Sequence, residues 1–107
     1  MNLLKEISVV GLSLEGENVG RHGRVTWIVM AARKTLLPFD VDTLLEQVPD
    51  LWEILNRKIF CNEKLIKIIH DCRAASDYLA HVHGIRINNV FDTQVRKNIY
   101  IRHKIIR

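Results

Sequence analysis

The stretch KIIHDCRAASDYLAHVHGIRINNVFDTQV, residues 67–95, decides the fold of this chain. Its apolar start predicts a strand over 65–70, and the nearly continuous apolar run is typical of a central strand buried on both faces. Residues 73–83 carry apolar side chains at helical spacing and run into Gly84, so they predict a helix with a glycine cap. Residues 85–91 predict another strand. A strand, a helix and a second strand indicate a parallel βαβ unit.

Three more strands are predicted upstream of this unit. Residues 6–14 and 24–32 are rich in β-branched and apolar side chains, and the glycine-rich residues 15–23 between them predict a loop. Residues 34–39 predict a short third strand. Pro38 indicates that this strand ends there or lies at a sheet edge, because proline cannot donate a ladder hydrogen bond. The three strands together predict a meander.

Two helical segments are predicted between the meander and the βαβ unit. Asp40 or Asp42 can cap a helix over 43–48, and Pro49 breaks that helix. Residues 51–60 show helical spacing of their apolar side chains. The resulting order, β-β-β-α-β-α-β, predicts an α/β fold with a mixed sheet flanked by helices.

The composition fits one globular domain. The chain has 107 residues, of which 48% are hydrophobic and 26% charged, with 5 glycines and 2 prolines. These values exclude collagen-like, mucin-like and wholly disordered chains. The two cysteines, Cys61 and Cys72, form no CxxC motif and cannot make a disulfide framework, so we expect reduced thiols in or near the core.

The sequence also predicts where the chain resides. No apolar run approaches the ~20 residues that span a bilayer. Lys5 and Glu6 interrupt the first apolar run, so no signal peptide is expected. We therefore expect a cytoplasmic protein, with the nucleus as an alternative, and no membrane partner.

The formal net charge of +4 is concentrated at the C-terminal end. Residues 96–107 contain no acidic side chain and five basic ones: Arg96, Lys97, Arg102, Lys104 and Arg107. The rest of the chain is nearly neutral, which argues against a uniformly basic nucleic-acid-binding module. The charge pattern therefore separates a domain at 1–95 from a basic tail or helix at 96–107.

Three segments resemble a known family. They are LSLEGENVGRHG at 12–23, LPFDV at 37–41, and the stretch at 67–95. Together they are similar to the 3′-5′ exonuclease domain of the RNase D-like group, whose ribonuclease H-like fold has the element order predicted above. The closest resemblance is to the subgroup that contains Egalitarian and the exonuclease-domain protein of the piRNA pathway. It extends to Val95, which implies a partial exonuclease-like domain, shortened at its C-terminus.

The resemblance also implies an altered catalytic site. Active members hold two Mg²⁺ or Mn²⁺ ions with four carboxylates and use them to activate a water molecule. At the first pair of acidic positions this chain has Ser13 and Glu15, and at the next it has Ala75. The remaining acidic motif would lie beyond Val95. With only Glu15 left as a vestige, the resemblance implies a pseudo-exonuclease with no intact catalytic residues, no metal site and no cofactor.

Other acidic side chains are not expected to replace the missing carboxylates. Asp77 lies two residues beyond Ala75, so it faces away on a helix. Asp40 and Asp92 are explained as helix caps, and Asp92 with Thr93 would cap a further helix.

The histidines also favour structural roles. We expect His70 to be a satisfied core histidine at the end of a buried strand, with an orienting role in the turn IHDCR, residues 69–73, as the alternative. His81 and His83 do not share a helix face, so we expect them at a solvated helix end rather than at a metal site.

Nucleic-acid contacts have two candidate sources. Arg21, His22 and Arg24 lie on the loop after the first strand, where they can bind phosphates, and a solvated turn is the alternative. The tail combines basic groups with an aromatic ring suited to stacking on a base: Arg96, Lys97, Tyr100, Arg102 and Lys104. The alternative for the tail is a helix or strand that completes the core, because its four isoleucines favour burial.

Three functions stay open at this point. The first is an inactive exonuclease-like domain that binds RNA as an adaptor in a piRNA-type or RNA-localisation pathway, with RNA granules as one location. The second is an active metal-dependent 3′-5′ exonuclease that uses Glu15. The third is a structural subunit or a fragment, since a truncated paralogue, a splice product or an incomplete gene model would explain the short chain. Because the piRNA-pathway relative is an inactive RNA adaptor that self-associates, the resemblance also implies protein partners and a homodimer.

Overall fold

A computed structural model describes residues 8–94 and the backbone of residues 100–101. Six strands form one mixed sheet: β1 (Val9–Glu17), β2 (Arg24–Ala32), β3 (Thr35–Asp40), β4 (Ile66–Ile69), β5 (Val90–Asp92) and β6 (Tyr100–Ile101). Their spatial order is β3-β2-β1-β4-β5-β6. β1 lies antiparallel to β2 and parallel to β4, and β4 lies parallel to β5. This arrangement confirms the predicted α/β fold with a mixed sheet.

Helical segments connect the strands in the described part of the chain: α1 (Val41–Gln47), α2 (Leu51–Leu55) and α3 (Cys72–His83). α1 begins two residues before its predicted start because Asp40 is the cap, and its carboxylate accepts a hydrogen bond from the Thr43 amide at 3.2 Å. The helix predicted over 51–60 changes type, since its second half, Asn56–Phe60, is a π-helix. None of the helices among the described residues is long and apolar enough to cross a membrane.

The hydrophobic core lies between one face of the sheet and the helices. Its principal members are Val10, Leu12, Ile28, Met30, Ile69 and Val90 from the strands and Val41, Phe60, Tyr78 and Leu79 from the helical segments. Because successive strand residues point to opposite faces, Val9, Trp27 and Leu36 lie on the other face. These three side chains are 41%, 43% and 69% exposed. The second face is therefore open and apolar at these positions.

The exposure of the second sheet face contradicts the prediction that β4 is buried on both faces. Lys67 and Ile69 are buried on the helix side, whereas Ile66 and Ile68 on the other side are only half-buried. The predicted burial of both faces of this strand is wrong, because the helices that pack on the described sheet cover one face.

The strand predicted over 85–91 is much shorter in the structure. Asn89 adopts the left-handed conformation, with φ of 55°, and its amide nitrogen donates to the carbonyl oxygen of Glu63 at 2.8 Å. The amide of Asn88 donates to the Phe60 carbonyl rather than to a strand. Asn88 and Asn89 are therefore hydrogen-bonded to the segment before β4. Regular strand pairing with β4 begins only at Val90.

A buried lysine, Lys67, also hydrogen-bonds to the segment before β4 and to Asn88. Lys67 is 0% exposed. Its ammonium group donates to the Asn62 carbonyl at 2.8 Å and to the Asn88 side-chain oxygen at 2.9 Å. Burial lowers the pKa of Lys67 from 10.5 to about 8, against the smaller opposing influence of the charges on Cys61 and Glu63.

The end of α3 differs from the predicted solvated helix end. The ring of His83 stacks on Trp52 with centroids 3.9 Å apart, and its Nε2 lies 2.9 Å from the Tyr78 hydroxyl. Burial lowers the pKa of His83. His81 is exposed, as expected. Gly84 takes the left-handed conformation, with φ of 67°, and ends the helix as predicted.

The buried lysine predicts a specific pH dependence of stability. Between pH 8 and about 10.4 the folded protein loses the Lys67 proton while the unfolded chain keeps it, so the free energy of unfolding rises with pH. We expect this rise, on the order of 1–3 kcal/mol, to disappear in Lys67→Met. Urea unfolding of both proteins at pH 7 and pH 10 measures it.

The matched control is Lys64→Met, because Lys64 is exposed. It should keep the pH dependence of the wild type, and contributions from Tyr78 and other groups cancel in the comparison. Equal pH dependence in both methionine variants would contradict the assignment.

Candidate functional site

A cleft of about 240 Å³ opens where β1 and β4 separate. The two parallel strands pair from Val9 and Ile66 to Leu12 and Ile69. β4 then turns into α3, whereas β1 continues to Glu17. The cleft is lined by Leu12, Ser13, Leu14, Val19, Ile69, His70, Asp71, Ala74 and Ala75. It lies at the carboxyl ends of parallel strands, which is where α/β sheets commonly bind ligands.

The structure brings the three positions inferred from the resemblance close together. Ser13 on β1 and Ala75 on α3 both line the cleft. Glu15 is two residues along β1 from Ser13, and the Ser13 hydroxyl donates to its carboxylate at 3.1 Å. Both side chains are exposed, whereas Ala75 is buried. These three positions therefore supply one carboxylate and one hydroxyl from β1 and only a methyl group from α3, whereas Asp71 adds a carboxylate to the cleft lining from the turn before α3.

A β-bulge fixes the backbone around Glu15. The pairing of β1 with β2 shifts register between Glu15 and Gly16, so that Thr26 has no partner of its own. A Cβ at Gly16 would clash with the carbonyl oxygen of Arg24, which explains the glycine. β1 consequently extends to Glu17, and the loop predicted over 15–23 is shorter than expected.

The donor set does not fit a two-metal cluster. Glu15 supplies one carboxylate, Ser13 supplies a neutral hydroxyl, and Ala75 supplies no donor. Within residues 8–94 no three His, Cys, Asp or Glu side chains are grouped closely enough to hold a metal ion. Magnesium and manganese need several charged oxygen ligands. We therefore derive no metal-dependent step from these residues.

The turn between β4 and α3 forms one wall of the cleft. His70 is exposed there, and its Nδ1 lies 3.1 Å from the Thr93 hydroxyl. The expectation of a core histidine is therefore wrong. Asp71 has a φ of 54°, in the left-handed region that few residues other than glycine occupy.

Asp92 stabilises this turn from the end of β5. Its carboxylate accepts hydrogen bonds from the amides of Asp71 at 2.9 Å, Cys72 at 3.0 Å and Gln94 at 2.9 Å. Burial alone would raise the pKa of Asp92, but its hydrogen bonds with Gln94, Cys72 and Asp71 outweigh burial and hold the pKa below its usual value. Asp92 thus stabilises the start of α3, whereas the further helix expected after Asp92 and Thr93 lies outside the described residues.

The loop candidates for nucleic-acid contact lie beside the cleft. Val19 lines the cleft, and Arg21 and His22 are exposed two and three residues further on. Arg24 is less available, because it forms an ion pair with Asp42 at 2.7 Å. Sequence reasoning missed Arg73, which is exposed in the first turn of α3 next to a residue that lines the cleft.

The tail candidates fall almost entirely outside the described residues. Tyr100 belongs to β6, where its backbone pairs with Phe91 of β5, so a strand forms at this point of the tail. The other tail candidates lie outside the described ranges: Arg96, Lys97, Arg102 and Lys104.

Comparison with known protein families identifies the family to which this chain belongs. The family model described as 3′-5′ exonuclease matches residues 1–103. The chain belongs to the 3′-5′ exonuclease family. The match continues past Val95, where the motifs quoted above end, and it includes most of the basic tail.

Individual relatives and structures agree with this family. The chain is 42% identical over 94 residues to the piRNA biogenesis protein EXD1 of Mus musculus, covering 86% of this chain and 16% of that protein. It is 31% identical over 99 residues to the Egalitarian protein homolog of Caenorhabditis elegans, covering 92% of this chain and 17% of the relative. The chain thus spans less than a fifth of the length of these two relatives.

A solved structure shows the same fold. Trypanosoma brucei RNase D in complex with RNA U12 matches with a TM-score of 0.65 and 23% identity, over 86% of this chain and 32% of that one. The ribonuclease H-like fold inferred from the resemblance is therefore confirmed.

The cap on α3 predicts how Asp92→Asn behaves. At pH 7 this variant should unfold with a free energy about 1–3 kcal/mol lower, because an amide cannot accept all the hydrogen bonds of the carboxylate. The difference from wild type should shrink as the pH falls below 3.8 and Asp92 takes up a proton. Denaturant unfolding at pH 7 and pH 2.5 measures both effects.

Asp50→Asn provides the control, because Asp50 makes no side-chain capping bond at the start of α2. It should leave the stability at pH 7 unchanged. The role given to Asp92 fails if both asparagine variants unfold at the same denaturant concentration at pH 7.

Proposed function

We propose that this domain binds single-stranded RNA in the cleft between β1 and α3 without hydrolysing it. The observation that carries this proposal is the pair of replacements at the cleft, Ser13 with its hydroxyl on Glu15 and Ala75 opposite. Phosphodiester hydrolysis by two metals needs clustered carboxylates to hold both ions. In our proposal the domain is a pseudo-exonuclease that retains the binding surface and needs no cofactor.

Electrostatics supports binding without metal. A cluster of carboxylates repels RNA phosphates unless bound cations neutralise them, and two of the implied carboxylates are absent from this cleft. Exposed basic residues are close in sequence to residues that line the cleft: Arg21 and His22 follow Val19, and Arg73 precedes Ala74. Such groups bind phosphates and position the strand without reading its sequence.

The relatives support RNA as the ligand and suggest the pathway. RNase D of Trypanosoma brucei has been solved in complex with RNA U12, and its fold is shared by this chain. EXD1 is described as a piRNA biogenesis protein. We therefore propose an adaptor role in a piRNA-type pathway, and we keep an RNA-localisation pathway as the alternative expected from the sequence motifs.

Protein partners and a homodimer stay predictions that rest on the open face of the sheet. Val9, Trp27 and Leu36 expose apolar surface there. Contiguous exposed apolar side chains commonly mark protein contacts. Trp27 is the cross-strand partner of Glu15, so a protein bound to this face would lie next to Glu15.

Restoring the missing carboxylates should make RNA binding depend on metal. We expect wild-type affinity for a labelled 12-nucleotide oligouridine to agree within about twofold in EDTA and in Mg²⁺. The double variant Ser13→Asp/Ala75→Asp should bind more weakly in EDTA, because added charge repels phosphates, and should recover in Mg²⁺. Fluorescence anisotropy measures both.

The control is Ser13→Asn/Ala75→Asn, which adds similar volume without charge. It should show no response to Mg²⁺. Wild-type protein that fails to bind the oligouridine, or that binds it only with Mg²⁺, contradicts the proposed function.

Breaking the ion pair between Arg24 and Asp42 should raise the affinity of the domain for RNA. Asp42→Asn releases the Arg24 guanidinium, which can then contact a phosphate. Surface ion pairs and their replacements are worth about 0.2–1 kcal/mol, so we expect affinity for the oligouridine to rise up to about fivefold.

Glu46→Gln is the matched control for this gain. Glu46 is exposed on the same helix, α1, so its replacement changes the net charge equally without releasing Arg24. An equal rise in both variants would show that net charge alone explains the effect.

A further inference from the structure

Three consecutive residues after β5 hold the turn that forms one wall of the cleft. The amide of Thr93 donates to the Ile69 carbonyl at 3.2 Å, and the Thr93 hydroxyl lies 3.1 Å from Nδ1 of His70. Asp92 accepts hydrogen bonds from the amides at the start of α3, as described above. With its amide nitrogen turned toward Asp71, Gln94 donates to both oxygens of that carboxylate, at 3.0 and 3.2 Å. We name residues 92–94 the clasp.

The clasp acts on groups that face the cleft. Ile69, His70 and Asp71 all line it, and each of them bonds to a clasp residue. Asp71 keeps an unfavourable left-handed backbone, which persists only when surrounding contacts fix it. The hydrogen bonds from its backbone amide and to its carboxylate are such contacts.

We propose that Thr93 and Gln94, together with Asp92, are positioning residues for RNA: they orient His70 and Asp71 toward the bound strand. This inference rests on the proposed function, since it assumes that RNA occupies the cleft. It deepens that function by assigning a role to side chains that contact neither phosphate nor base.

The chemistry of the oriented groups suits ribose. A carboxylate accepts a hydrogen bond from a hydroxyl, and an imidazole can donate or accept one. Asp71 repels phosphates but can accept a hydrogen bond from a 2′-hydroxyl, which DNA lacks. A correctly held Asp71 therefore favours RNA over DNA of the same length.

The test uses Thr93→Val/Gln94→Leu, which removes the side-chain hydrogen bonds of both residues at exposed positions and keeps Asp92 for stability. We expect affinity for the 12-nucleotide oligouridine to fall about fivefold to tenfold. The preference for RNA over the matching oligodeoxyuridine should narrow, whereas the dependence of log K on log salt should stay as in the wild type, because both replaced side chains are uncharged. A purely structural role does not change the RNA preference of the folded protein.

Thr35→Val/Gln47→Leu is the matched control, with the same two replacements at exposed sites outside the cleft lining. It should bind both oligonucleotides like the wild type. Clasp and control variants with equal affinity and RNA preference would overturn the clasp proposal alone. Wild-type protein that binds no oligouridine would overturn the proposed function itself.

Discussion

The separation of two parallel strands shapes the functional end of this domain. β1 and β4 pair as far as Leu12 and Ile69, and then one strand continues while the other turns into a helix. The cleft exists because β1 extends past its partner, and α3 then forms the facing wall. The bulge at Gly16 and the cap at Asp92 both serve this separation, one by fixing the end of β1 and the other by fixing the start of α3.

The same geometry can support hydrolysis or binding, and the side chains at three positions decide between them. In an exonuclease of this family, acidic side chains at such positions hold metal ions that activate water. Here Ser13 donates its hydroxyl to Glu15, so the remaining carboxylate already has a local partner. Ala75 contributes only apolar surface. In our proposal the domain keeps the fold without the catalytic chemistry, which is consistent with the general independence of fold and function.

Much of the fold could be predicted from local patterns. β-branched and alternating apolar residues predict β2 and β3 within one residue, and Gly84 predicts the end of α3. The position of Ser13 beside Glu15 follows from the two-residue period of a strand. The cleft lining that includes Ala75 followed from the spacing of a motif in a known family.

The features that could not be predicted depend on contacts between distant segments. Lys67 sits in an apolar run, and its burial is explained only by acceptors on Asn62 and Asn88. The strand predicted over 85–91 is shortened by asparagine bonds to the segment before β4. His70 is exposed because its partner, Thr93, lies at the surface rather than in the core. Local periodicity contains no information about such partners.

The central claim is that the cleft binds RNA without cutting it. The most direct measurement is a time course of 5′-labelled 12-nucleotide oligouridine incubated with the protein in Mn²⁺ and resolved at single-nucleotide resolution. The account predicts that the oligonucleotide stays at full length over hours while anisotropy shows that it is bound. Stepwise shortening from the 3′ end that disappears in Glu15→Gln would contradict it.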